Sequence, residues 1–126
     1  MKYLVSLLLL CTSLATSACS DDTCSGSSCA CTPDEDCTRS CEAGQTCDIA
    51  CNGADRCDVA CGNAASCQVT CDDSTTCEVD CPDGACMVTC PATGCTVRNC
   101  ADPLSCQVTC GLAGVASYDG ATATCP

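Results

Sequence analysis

Cysteine is the residue whose chemistry dominates this chain: it fills 22 of 126 positions, and there is no histidine. Thiolates can ligate soft metals, exchange with disulfides or pair as staples, and their spacing decides between these uses. From Cys37 to Cys81 the spacing is strict, C-x3-C-x5-C, a ten-residue period. It slips by one residue around Cys86, Cys95 and Cys100, then recovers at Cys106 and Cys110. In an extended unit the two cysteines of CxxxC lie ~13 Å apart, at ~3.3 Å per residue. That is too far for a disulfide, which needs Cα atoms roughly 4.4–6.8 Å apart, and too far for both to hold one ion. Cysteines on either side of a five-residue turn can meet. Taken in order, they predict ten bridges: Cys24–Cys29, Cys31–Cys37, Cys41–Cys47, Cys51–Cys57, Cys61–Cys67, Cys71–Cys77, Cys81–Cys86, Cys90–Cys95, Cys100–Cys106 and Cys110–Cys125.

The elements that must position these sulfurs follow from the residues between them. The units read CTRSC, CDIAC, CDVAC, CQVTC, CEVDC, CMVTC, CTVRNC and CQVTC. Cys, Val or Ile, and Cys alternate with mostly polar residues, the pattern of a strand with one buried face. A helix would also align cysteines four apart, but the β-branched centre and the Asn, Gly, Asp and Pro of the spacers favour strand and turn. Tandem copies this short predict a solenoid in which each unit leans on its neighbours. The fold class is therefore all-β, a disulfide-stapled β-solenoid of ten-residue CxVxC repeats, with other small disulfide-rich all-β packings as the alternative.

If every turn reverses the chain, two units make one coil of about twenty residues. Alternate units then stack on the same face. One set is CDIAC, CQVTC, CMVTC and CQVTC, with Thr70, Thr89 and Thr109 in one column and Gln68, Met87 and Gln107 in the next. The other set carries Asp58, Glu78, Asp80 and Arg98. A neutral face and a charged face follow. The neutral one, with Thr70, Thr89, Thr109, Gln68 and Gln107, is the candidate contact face.

Both ends differ from the middle. Residues 1–18 read as a secretory signal, with Lys2 before the apolar run Leu4 to Leu10 and Ala18 before Cys19. LATSAC resembles a lipoprotein cleavage motif, so Cys19 is the predicted lipidation site. Parity agrees: Cys11 leaves with the signal, and acylated Cys19 leaves an even set to pair. Residues 19–36 form an acidic, Ser-rich leash and N-terminal cap, in which Thr32 to Glu35 resembles a helix capping box worth at most one turn. Residues 37–110 are the repeats. Residues 111–126 are a C-terminal cap expected to lay Leu112, Val115 and Tyr118 over the last coil as an apolar lid.

Composition excludes several functions. After the signal, Arg39, Arg56 and Arg98 stand against 16 acidic residues, a surface that repels nucleic acid and anionic lipid. One Ile, seven Val, two Leu and one Met cannot stabilise 108 residues by burial alone, so cross-links must, and they need an oxidising compartment. Without histidine, a phosphate loop or a nucleophile elbow, no catalytic site is predicted, and no cofactor or small-molecule substrate. The acidic turns at Asp55, Asp72-Asp73 and Asp83-Gly84 match no EF-hand loop and read as solvated surface.

Three resemblances bear on function. In composition the chain resembles metallothioneins, which implies thiolate metal storage, although it has a single CxC (Cys29-Ala30-Cys31) and no CxxC. In its C-x5-C spacing it is similar to beetle antifreeze proteins, disulfide-stapled solenoids, but lacks their Thr-x-Thr array. Signal and repeats together resemble bacterial cysteine-rich tandem-repeat lipoproteins, a class without an assigned activity. The expectation is a non-enzymatic, exported cell-envelope module for structure or interaction, with thiolate metal storage as the alternative and no metal site assigned. It would lie at the outer membrane or cell surface if lipidated, and otherwise in the periplasm or outside the cell, facing an envelope or extracellular partner.

Overall fold

The structure of the chain is a computed structural model that describes residues 23–24, 28–82, 85–112 and 114–126. Cys19 and the signal, Cys24's side chain, and Asp83-Gly84 lie outside the described residues. In chain order the strands are β1 (Thr23–Cys24), β2 (Ser28–Ala30), β3 (Asp36–Cys41), β4 (Thr46–Ala50), β5 (Arg56–Ala60), β6 (Ser66–Thr70) and β7 (Thr76–Asp80). There follow β8 (Cys86–Cys90), β9 (Thr96–Arg98), β10 (Cys106–Cys110), β11 (Gly114–Val115), β12 (Ser117–Asp119) and β13 (Thr122–Thr124). No helix occurs among the described residues.

Successive strands alternate between two sheets. One runs β1-β3-β5-β7-β9-β13-β12, the other β11-β10-β8-β6-β4-β2. Pairing is parallel throughout the repeats, so one coil is one strand of each sheet plus two turns. The coil period is read directly from the register: Cys47 lies beside Cys67, Cys37 beside Cys57, and Cys57 beside Cys77. The protein is a two-sheet β-solenoid of about four turns. Segment 19–36 contributes β1 and β2, which pair with β3 and β4 and extend the solenoid ahead of the strict repeats.

Alternation of side chains builds the core. In β4 to β7 the cysteine and the β-branched centre point inwards, and their neighbours face out or lie half-buried. Ile49, Val69 and Val88 stack in one sheet, opposite Val59, Val79 and Val97 in the other, all essentially inaccessible. Each such side chain contributes about 1.5–3 kcal/mol of burial relative to exposure. The columns are one residue wide, so the sheets have little else to hold them together. Sulfur does the rest. Cysteines flank the aliphatic columns on both sides, and nine bridges among the described residues join one sheet to the other.

The turns stack as well as the strands. Asp34 N–H donates to Gly53 C=O, and Gly53 N–H donates to Asp72 C=O. At the opposite edge Gly44 N–H donates to Asn63 C=O. Asn52 and Gly53 both adopt left-handed backbone, φ 50° and 75°, which Asn and Gly tolerate best. Thr32 to Glu35 is one of these turns and not a helical one: Asp34 sits at φ 59°, held by the turn of the next coil. Bonding to the neighbouring coil has replaced local i to i+4 bonding.

The C-terminal cap differs from the expected lid. The chain reverses so that β11 runs antiparallel to β10, and β13 antiparallel to β9. Val115 pairs with Thr109, an outward position, and is therefore 85% exposed. Leu112, in the turn after β10, is fully exposed. The inward positions fall instead to Ala123, opposite Val97, and to Ala116. Tyr118 is half-buried and its hydroxyl donates to Cys106 C=O at 3.2 Å.

Candidate functional site

Two features could carry function: the outer faces of the sheets and the sulfur ladders at their edges. The sheet of β4, β6, β8 and β10 collects every unit of the neutral set. Register aligns Asp48, Gln68, Met87 and Gln107 in one column and Ala50, Thr70, Thr89 and Thr109 in the next. Gln68, Met87, Gln107, Thr89 and Thr109 are exposed and Thr70 is half-buried. Sheet geometry sets these rows roughly 4.7–4.9 Å apart. The proposed contact residues thus share one face, on which Asp48, exposed at the head of the first column, is the one charged side chain of the two columns.

The other face is charged, as alternate units required. Asp58 and Glu78 are neighbours in one column, a like-charge contact that costs stability unless it is screened. Two arginines supply the screening. Arg56 lies 3.7 Å from Asp58, and Arg98 lies 3.3 Å from Glu78. Asn99 Nδ2 donates to Asp80 Oδ1 in the adjacent column. Where this face meets the edge there is an open hollow of about 290 Å³ lined by Thr75, Thr76, Glu78, Thr93, Gly94 and Thr124. Its lining offers threonine hydroxyls and the Glu78 carboxylate.

At the edges the structure places nine of the predicted cysteine pairs at bonding distance. One edge holds Cys31–Cys37, Cys51–Cys57, Cys71–Cys77, Cys90–Cys95 and Cys110–Cys125. The other holds Cys41–Cys47, Cys61–Cys67, Cys81–Cys86 and Cys100–Cys106. Their Cα atoms are 5.4–6.3 Å apart. Cys29 is also disulfide-bonded, while its predicted pairing with Cys24 lies outside the described side chains.

Stacking the coils brings a third sulfur up to four of the bridges. Cys41, Cys61 and Cys67 lie within 4.8 Å of one another, as do Cys31, Cys37 and Cys57. Cys51, Cys57 and Cys77 form a third group, and Cys90, Cys95 and Cys125 a fourth. The distance within one CxxxC unit therefore does not keep sulfurs out of chelating range, because the neighbouring coil supplies the third. A twenty-residue coil predicts this once it is applied to cysteines as well as to valines: Cys61 follows Cys41 by one period, and Cys67 is the partner of Cys61. In the oxidised protein each of these sulfurs is spent in a bridge and offers no thiolate.

Sequence reasoning also missed Ser74. It is the buried polar residue of the described core, wholly inaccessible, with a hydroxyl that has no hydrogen-bond partner. It occupies the turn position that Ala54 fills one coil earlier, so only the repeat alignment could have singled it out. Compared with protein-family models, curated proteins and solved structures, the chain matches none, so its reading rests on its own geometry.

Proposed function

We propose that this chain is a non-enzymatic, exported structural or interaction module of the cell envelope, anchored by lipid on Cys19 and making contact through its neutral sheet. The carrying observation is the sorting of the repeats. Gln68 and Gln107 flank Met87 in one exposed column, beside the column of Thr70, Thr89 and Thr109, while the acidic side chains of the alternate units occupy the opposite sheet. A hydroxyl- and amide-rich surface with one carboxylate, Asp48, at its end, held on a cross-linked scaffold, loses little entropy when it binds. The disulfide framework supports a non-cytoplasmic, oxidising location.

The triple substitution Thr70→Glu, Thr89→Glu and Thr109→Glu tests the contact face. It should abolish association with envelope fractions, or self-association in sedimentation, and leave the β-type circular dichroism unchanged. Association equal to that of the parent protein would refute the assignment.

A second reading, thiolate metal storage, draws its support from the four sulfur groups that form across coils. Intact mass with and without reductant, together with elemental analysis of the native protein, separates the two. Ten disulfides and no metal sustain the module. Free thiols with stoichiometric zinc or copper sustain the store. The same mass measurement reads the acyl chain on Cys19.

A further inference from the structure

The two sulfur ladders are not uniformly protected. Cys47, Cys61 and Cys67 are 0–2% exposed, and the other cysteines of the central coils are equally shut off from solvent. Among the described cysteines, Cys29 and Cys41 are the two that are half-buried instead of buried. Cys41 ends β3, where the edge has only the short β1 beside it. Its Sγ makes a second approach: it lies 3.5 Å from Sγ of Cys67, a sulfur of the next bridge along the ladder. Cys61, which holds Cys67, lies within 4.8 Å of both. A sulfur of a half-buried cysteine in one disulfide is thus in contact with a sulfur of another.

We propose that the Cys41–Cys47 bridge is a thiol–disulfide exchange site for small dithiols, and that the thiol it generates is passed to the neighbouring coil through Cys67. In the first step a dithiol thiolate attacks Sγ of Cys41, breaking the Cys41–Cys47 bond and releasing Cys47 as thiolate. The second thiol of the reagent then displaces Cys41 and closes a cyclic disulfide. The dithiol has been oxidised by two electrons, and Cys41 and Cys47 have each gained a proton. In the third step the Cys41 thiolate attacks Sγ of Cys67. The Cys41–Cys67 bond forms, the Cys61–Cys67 bond breaks, and Cys61 leaves as thiolate. This step needs no further oxidant or reductant. It turns a bridge within one coil into a bridge between coils, with Cys47 and Cys61 now carrying the thiols.

Attack requires access and a thiolate near a disulfide sulfur, and the rate falls steeply where either is missing. The Cys41–Cys47 bridge has the access. The Cys41–Cys67 contact has the proximity. The inference is independent of the neutral face, because it uses cysteine sulfurs and none of Thr70, Thr89, Thr109, Gln68 and Gln107.

The test uses the folded, oxidised full-length protein with substoichiometric dithiothreitol near neutral pH, sampled over time, quenched by acid, alkylated and mapped by mass spectrometry. Among the nine described bridges, Cys41–Cys47 should open first, about tenfold faster than any other. Label on Cys41 and Cys47 should then give way to label on Cys47 and Cys61, with a peptide pair linked through Cys41 and Cys67. Earlier opening of another of the nine bridges overturns the proposal. So does lasting label on Cys41 and Cys47 with no Cys41–Cys67 pair.

Discussion

Cys110 and Cys125 are joined across 15 residues, yet their Cα atoms are 5.4 Å apart, as close as those of any bridge that spans a single turn. The sheets explain the match. Cys110 ends β10, and Cys125 follows β13, which has taken the place beside β9 that a next parallel strand would hold. The bridge therefore joins the two sheets like all the others, although the chain between its ends turns back twice.

Removing that bridge by Cys110→Ala with Cys125→Ala should release the cap and little else. A loop of this length is worth about 3 kcal/mol in the chain-entropy account. Hydrogen exchange should speed up across residues 112–125, while amides of β4 to β7 keep their protection. Equal loss of protection in β4 to β7 would show that the solenoid melts as one unit.

Ser74→Ala should stabilise the protein. Its hydroxyl is buried without a partner, and Ala54 shows that the same turn position takes a methyl group. The hydrogen bond from Thr93 Oγ1 uses the Ser74 backbone carbonyl and survives the change. Relief of the buried polar group should raise stability by about 1 kcal/mol in chemical denaturation with the bridges intact.

Val79→Ala should act in the opposite sense. Val79 is inaccessible between Val59 and Val97 in its column. Losing two methyl groups and leaving a cavity should cost about 2–3 kcal/mol. Val115→Ala, at an 85% exposed position, is the control and should change stability by less than about 0.5 kcal/mol. Urea unfolding of both variants compares them directly.

Gly94→Ala should be damaging for two reasons at once. Its φ of 94° is a conformation that side chains resist, and an added Cβ would sit 2.8 Å from the carbonyl oxygen of Cys125. The loss should fall in the range of about 1–3 kcal/mol and appear first as exchange at the C-terminal strand. Gly44→Ala has open space around it and a similar positive φ, so it isolates the backbone share of the effect.

Much of the architecture was legible in particular residues. The β-branched centres of CDIAC, CDVAC and CEVDC, set between cysteines, specify strands with an inner face, and NGADR and GNAAS specify turns. Grouping alternate units placed Gln68 with Gln107 and Thr70 with Thr109 on the same sheet, as the register has them. In the last segment apolar character predicts burial for Tyr118, which packs against the core, but not for the two aliphatic residues. Leu112 and Val115 face outwards, and the small Ala116 and Ala123 close the core.

The sequence by itself determined the local periodicity, the alternation that makes each unit two-sided, and the closeness in chain of cysteines across each turn. These are properties of a few neighbouring residues, and side-chain direction and chain reach settle them. Only the tertiary structure decided what lies beside what between coils: the contact of Cys41 with Cys67, the four groups of three sulfurs, the buried Ser74 and the reversed strands of the cap. Those depend on how one coil is laid on the next. The distance between stacked strands, not the distance along the chain, sets which sulfurs touch.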